Sequence, residues 1–150
     1  MFRYISVSES ELINTVVARR IDQIRIEVGV LFPGAVITHS IDPEGRGVIS
    51  VTFNDCFLSQ EFVETAQSLE KPERSLDYLR VLRDKMRLVL VVPESKANRM
   101  RLKMLQFNHW WLFYYLIFSY DEEGNIRKVG RPQPIGSPSD EGKGLGFGNG

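Results

Sequence analysis

The sequence predicts an α/β chain, with α+β as the variant, built on a mixed central sheet of about five strands with helices on both faces. Three observations carry that prediction. The run MRLVLVV is continuously apolar, of strand length, and bounded by charge on one side and proline on the other, the pattern of a strand buried on both faces. The runs AVITHSI and GVISVTF are β-branched and are joined by Asp42-Pro43-Glu44-Gly45-Arg46-Gly47, which has turn chemistry. Finally, Leu12, Ile13, Val16, Val17, Ile21, Ile24, Val28 and Leu31 recur at steps of three and four, the apolar stripe of a long helix.

Taken in order, Ser8-x-x-Glu11 forms a capping box that opens the first helix, expected over about Ser8 to Leu31, and Pro33-Gly34 ends it. The hairpin follows. Helical spacing returns from Leu58 to Leu69 and again from Glu73 to Arg83, with Pro72 where the second segment opens, so two helices or one broken helix are expected. After the buried strand, Ser95 caps a helix reaching about Phe107. WWLFYYLIFS is the next strand, apolar on both of its alternating faces. Asp121-Glu122-Glu123-Gly124-Asn125 then reverses the chain into a short strand over Ile126 to Val129. The expected order is α-β-β-α(α)-β-α-β-β. Residues 1–129 form a single α/β domain on this reading, and 130–150, rich in glycine and proline, a flexible tail.

Composition narrows the function classes. A chain of 150 residues that is 43% hydrophobic can bury one core of moderate size. Lys plus Arg and Asp plus Glu are equal at 19 each, so no global field draws the chain to polyanions or membranes, and a charged partner needs a local patch. The single Cys56 excludes an internal disulfide framework, and Cys56, His39 and His109 lack zinc-ligand spacing. The N-terminus has no signal-peptide pattern, and WWLFYYLIF is about half of the roughly 20 residues that a spanning helix needs. A soluble, cytoplasmic protein without a membrane partner is expected.

The element order, the phrase RLVLVVPES leading into a helix, and LIFSYDEEGNIRKV together resemble the restriction-endonuclease-like superfamily with the PD-(D/E)XK motif, over roughly Ser8 to Val129. That resemblance implies an acid on the first helix, an aspartate where the second strand begins, and Glu-x-Lys in the next strand. Such carboxylates hold divalent cations that polarise a phosphate and activate water. Glu27 matches the helix acid and Asp42 approximates the aspartate. Where Glu-x-Lys should fall, in ISVTFND, the chain reads Thr52-Phe53-Asn54. The other Glu-x-Lys triplet, Glu94-Ser95-Lys96, and the upstream Asp84 flank one strand and lie too far apart to share a metal. The expectation is a degenerate, non-catalytic domain with no catalytic residues, no metal and no cofactor. The alternative is a magnesium- or manganese-dependent nuclease whose rearranged site uses Glu27, Asp42 and Asp55.

Two surfaces are candidates for partners. Lys96, Arg99, Arg101 and Lys103 lie within two turns of one helix, and Arg127 and Lys128 can extend them toward a nucleic-acid backbone. At roughly 100° per residue, however, the four helix cations spread over more than one face, as on a solvated helix. The aromatic run holding Trp110, Trp111, Phe113 and Tyr115 lacks the interleaved basic residues of a base-stacking platform, so it is read as a core strand or an interface. Expected function is therefore that of a nucleic-acid-associated or complex-assembly subunit, with a structural homo-oligomer as the further alternative.

Overall fold

The computed structural model describes residues 2–84, 86–107 and 114–130. Within them the chain is α/β, with a mixed six-stranded sheet in the order β1-β2-β3-β4-β5-β6. The elements are α1 (Phe2–Leu31), β1 (Val36–Ile41), β2 (Gly47–Phe53), β3 (Cys56–Val63), α2 (Arg74–Arg83), β4 (Arg87–Pro93), α3 (Ala97–Phe107), β5 (Tyr115–Tyr120) and β6 (Ile126–Lys128). Short 3-10 turns at Ser68–Glu70 and Glu94–Lys96 lead into α2 and α3.

The helix α1 starts ahead of the capping box because Phe2 to Val7 contain neither glycine nor proline to stop it. Its stripe of Ile13, Val16, Val17, Ile21, Ile24 and Val28 packs on Ile49, Val51, Val63, Val89, Val91 and Phe118, one face of the sheet. Where α1 crosses β2 the approach is close: a Cβ placed on Gly47 would meet Val17 Cγ2 at 2.5 Å. Parallel pairing of β3 with β4 and of β4 with β5 requires crossovers, which α2 and α3 supply. Both lie on the second face, where Tyr78, Val81, Leu82, Met100 and Met104 cover Phe62, Leu88, Leu90, Val92 and Ile117. The run RLVLVV is thus buried on both sides, as its composition requires.

The segment from Leu58 does not form the expected helix. It belongs to β3, antiparallel to β2 and joined to it by a two-residue turn at Asn54 and Asp55, with φ of 53° and 67°. Positive φ at both central residues is the geometry that hairpins favour, and Asn and Asp tolerate it. Helical spacing was mimicked because β3 buries polar Ser59 and Glu61 on the α1 face, so the apolar alternation of a strand is absent.

The turns β1–β2 and β5–β6 are built alike. Asp42 Oδ1 accepts from the N–H groups of Glu44 and Arg46 at 2.9 and 3.0 Å, and Asp121 Oδ1 accepts from those of Glu123 and Asn125 at the same distances. Gly45 and Gly124 take the positive φ, 85° and 84°, that each turn requires.

Candidate functional site

Two buried polar clusters, one on each face of β3, concentrate the chemistry of the described residues. On the first face, Arg20 projects from the apolar stripe of α1 and is fully buried. Its Nε donates to Glu61 Oε1 at 2.6 Å and its Nη2 to Glu61 Oε2 at 3.0 Å, a two-pronged grip on one carboxylate. Its Nη1 donates to Gln23 Oε1 and Glu27 Oε2, each at 3.0 Å. The guanidinium carbon lies 4.2 Å from the centroid of the Phe118 ring. Arg87, at the start of β4, approaches both Glu27 and Glu61 to 3.6 Å.

Charge in this cluster is balanced, two arginines against two glutamates. Burial raises the Glu61 carboxyl above its ordinary value, by more than Arg20 and Arg87 draw it down. Burial works against the charge on Arg20, yet Glu61 and Glu27 outweigh it and hold the guanidinium above its ordinary value. Every nitrogen of Arg20 is engaged and both Glu61 oxygens accept. Arg20 and Glu61 are fully enclosed, and the cluster meets solvent through Glu27 and Arg87.

The second cluster surrounds Glu64, the residue after β3, whose N–H donates to Val91 O at 2.8 Å. Glu64 Oε1 accepts from Ser68 Oγ at 2.5 Å, while Oε2 accepts from Tyr78 Oη at 2.5 Å and Arg46 Nη1 at 3.2 Å. Arg46 also donates to Asp42 at 2.9 Å and Asp77 at 3.1 Å, and lies over the Phe62 ring at 4.3 Å. Arg74 donates to Asp77 at 2.9 Å and to Ser68 O at 3.0 Å, and pairs with Glu44. From β5, Tyr120 Oη donates to Glu64 O at 2.8 Å. This network joins the β1–β2 turn, the end of β3, α2 and β5 into one body.

The two phenols report on that body. Burial, together with the nearby Glu64 charge, pushes Tyr78 above its ordinary value, and burial does the same for Tyr120 with help from Glu9 and Glu64. A phenol held neutral in the fold stabilises it fully below the unfolded value of about 10, and this contribution is lost as pH rises beyond it toward the folded value. Alkaline unfolding is therefore expected to accompany ionisation of these two tyrosines, followed by tyrosinate absorbance alongside circular dichroism. Ionisation of all tyrosines before any loss of structure would contradict it.

The carboxylates singled out from the sequence each have a definite place. Glu27 joins the Arg20 cluster and Asp42 the Glu64 cluster, while Asp55 lies in the β2–β3 turn. Asp42 and Asp55 sit at opposite ends of β2, on the order of 20 Å apart at 3.3 Å per residue. Among the described residues no three His, Cys, Asp or Glu are grouped to hold a metal ion.

Lys96 and Arg99 both engage Glu70, at 3.4 and 2.6 Å, so the α3 patch carries its own counter-charge. Desolvation works against the Glu70 charge, yet Lys96 and Arg99 together outweigh it and hold the carboxyl below its ordinary value. Arg101 donates to Asn98, Lys103 is half-buried, and Arg127 and Lys128 are exposed on β6. Tyr115 opens β5 and packs on the α2/α3 face, whereas Trp110, Trp111 and Phe113 lie outside the described residues.

A cleft of about 350 Å³ lies between α1 and the β1–β2 turn, with Glu9, Glu44, Thr65 and Gln67 in its wall. Its lining includes two carboxylates and no basic residue, which disfavours an anionic ligand. No helix among the described residues is long and apolar enough to cross a membrane. Comparison of the chain with protein-family models, curated proteins and solved structures finds no match.

Proposed function

We propose that the chain is a non-catalytic, nuclease-like α/β domain that serves as an assembly subunit. One observation carries the non-catalytic part. Glu27 from α1 and Glu61 from β3 converge, as carboxylates sharing a divalent cation would, but the Arg20 guanidinium lies between them and donates to both. A fixed organic cation thus fills the electrostatic role that a metal would have. Thr52-Phe53-Asn54 also stands where the resemblance puts Glu-x-Lys, so that pattern's carboxylate and lysine are missing there as well.

Between the two partner classes, the α3 cations favour protein assembly over nucleic acid. Two of the four are already held by Glu70, and counterion release from phosphates needs cations free to exchange partners. Magnesium or manganese at millimolar concentration is expected to leave the thermal midpoint unchanged, since only a preformed site couples cation binding to folding. Incubation with single- or double-stranded DNA or RNA should give no cleavage. Metal-dependent cleavage abolished by Glu61→Gln would overturn the reading.

A further inference from the structure

The two edges of the sheet are unlike. At one edge, β6 is a three-residue strand carrying exposed Arg127 and Lys128, the charged and short form that discourages further pairing. At the other, β1 is Val36-Ile37-Thr38-His39-Ser40-Ile41, twice as long, with no Lys, Arg, Asp, Glu or Pro. Val36 and Ile41 are 55% and 44% exposed, and only Ile37 along the strand is half-buried. An edge of this composition is a template for another strand. We infer that β1 pairs antiparallel with β1 of a second copy of this chain, about a two-fold axis at His39, to give one continuous sheet.

The phase of the backbone fixes which groups are available. Asp42 N–H donates to Arg46 O at 2.9 Å, so Asp42 is a hydrogen-bonded partner of β2. By the alternation of an antiparallel ladder, Ser40, Thr38 and Val36 also turn their backbone groups to β2, while Ile41, His39 and Ile37 turn theirs outward. A two-fold axis perpendicular to the sheet keeps the α1 faces of both copies on one side and pairs residues of like parity. Centred on His39, it sets Ile37 against the second copy's Ile41 and His39 against its counterpart, and the outward N–H and C=O of Ile37, His39 and Ile41 are satisfied together.

Side chains select the same register. Ile37 meets isoleucine on the α1 face, and Thr38 meets serine on the other. A shift of the axis by one residue in either direction sets Ile37 or Ile41 against His39 and leaves part of the outward ladder unpaired. It is this self-match, in backbone phase and in side-chain character, that points to a second copy and not to a foreign strand.

This inference rests on the assembly part of the proposed function, and its test fails separately. Sedimentation velocity on the full chain over a concentration series should show a dimer. In a Cys56→Ser background, His39→Cys should cross-link under mild oxidation, because directly opposed residues of such a pair have Cα atoms about 5.5 Å apart, within disulfide reach. Thr38→Cys should not. His39→Pro removes only an outward N–H and should weaken the dimer roughly tenfold to a hundredfold. Ile41→Lys, which places a charge on the edge, should weaken it as well without disturbing the β1–β2 ladder.

A monomer at every concentration, a dimer indifferent to both variants, or equal cross-linking through Thr38→Cys would overturn the pairing. So would a monomeric chain that instead captures an added extended peptide, which would assign the edge to a foreign strand. Metal-dependent cleavage would fail the non-catalytic reading and leave the dimer untouched. A monomer would fail the dimer and leave the Arg20 argument standing.

Discussion

Arg20→Ala is expected to destabilise the protein by about 3–5 kcal/mol, because it removes both hydrogen bonds of the buried Glu61 and leaves only Arg87, at 3.6 Å, to answer its charge. The loss should not be read as the worth of the ion pair. Bringing both groups out of water opposes folding, and the raised Glu61 carboxyl records that opposition. The informative variant is therefore the double one. Arg20→Met with Glu61→Leu keeps similar volume, removes both charges, and is expected to lie within about 2 kcal/mol of the parent or above it. Urea unfolding of parent, single and double variants gives the cycle. A double variant as unstable as Arg20→Ala would show that the bonds to Gln23 and Glu27 and the Phe118 contact hold α1 in place.

The second large effect is expected at Glu64. Glu64→Ala withdraws the acceptor shared by Ser68, Tyr78 and Arg46, and should cost about 3–5 kcal/mol by leaving the buried Tyr78 hydroxyl and Arg46 Nη1 without an acceptor and Ser68 Oγ with only Thr65 O, at 3.3 Å, as acceptor. Tyr78→Phe removes one donor and leaves the carboxylate two others, so it should cost about 1–2 kcal/mol. That ordering separates a hub from a chain of independent bonds, and chemical denaturation of both variants measures it. Equal losses would mean that the Tyr78 hydroxyl, and not the carboxylate, organises the β1–β2 turn.

The sequence made some of this legible and hid the rest for identifiable reasons. RLVLVV announced a strand buried on both faces because no polar residue interrupts it, and the stripe on α1 announced the covering helix. Gly45 and Gly124 marked turns because only a residue free of a Cβ sits easily at their φ. The strand β3 was concealed by its own chemistry. Glu61 reads as a surface residue unless a buried arginine is known to meet it, and Phe62 then falls four residues after Leu58, as on a helix. The turn at Asn54-Asp55, between β-branched GVISVTF and CFLSQEFV, was the signal that could have uncovered it.

Arg20 carried a signal too. It stands four residues after Val16 and four before Ile24, in the middle of the buried stripe, where a charge has no place unless something inside answers it. The Glu27 and Asp42 candidates illustrate the converse limit. The family resemblance alone could assign both to a cation site, but only the topology reveals that one faces Arg20 and the other Arg46.

The placement of Glu61 also decides which arrangement of layers this chain can adopt. A helix with an apolar stripe as regular as that of α1 can slide by one turn over an apolar sheet and still bury much the same surface, so packing alone discriminates weakly between the two positions. Here the slide would set Val16 or Ile24 above Glu61 and strip its carboxylate of both hydrogen bonds from α1, leaving Arg87 at 3.6 Å as its remaining counter-charge. Complementarity between Arg20 and Glu61 thus acts as a key for the position of α1, contributing discrimination between near-equivalent folds where its net contribution to stability is small.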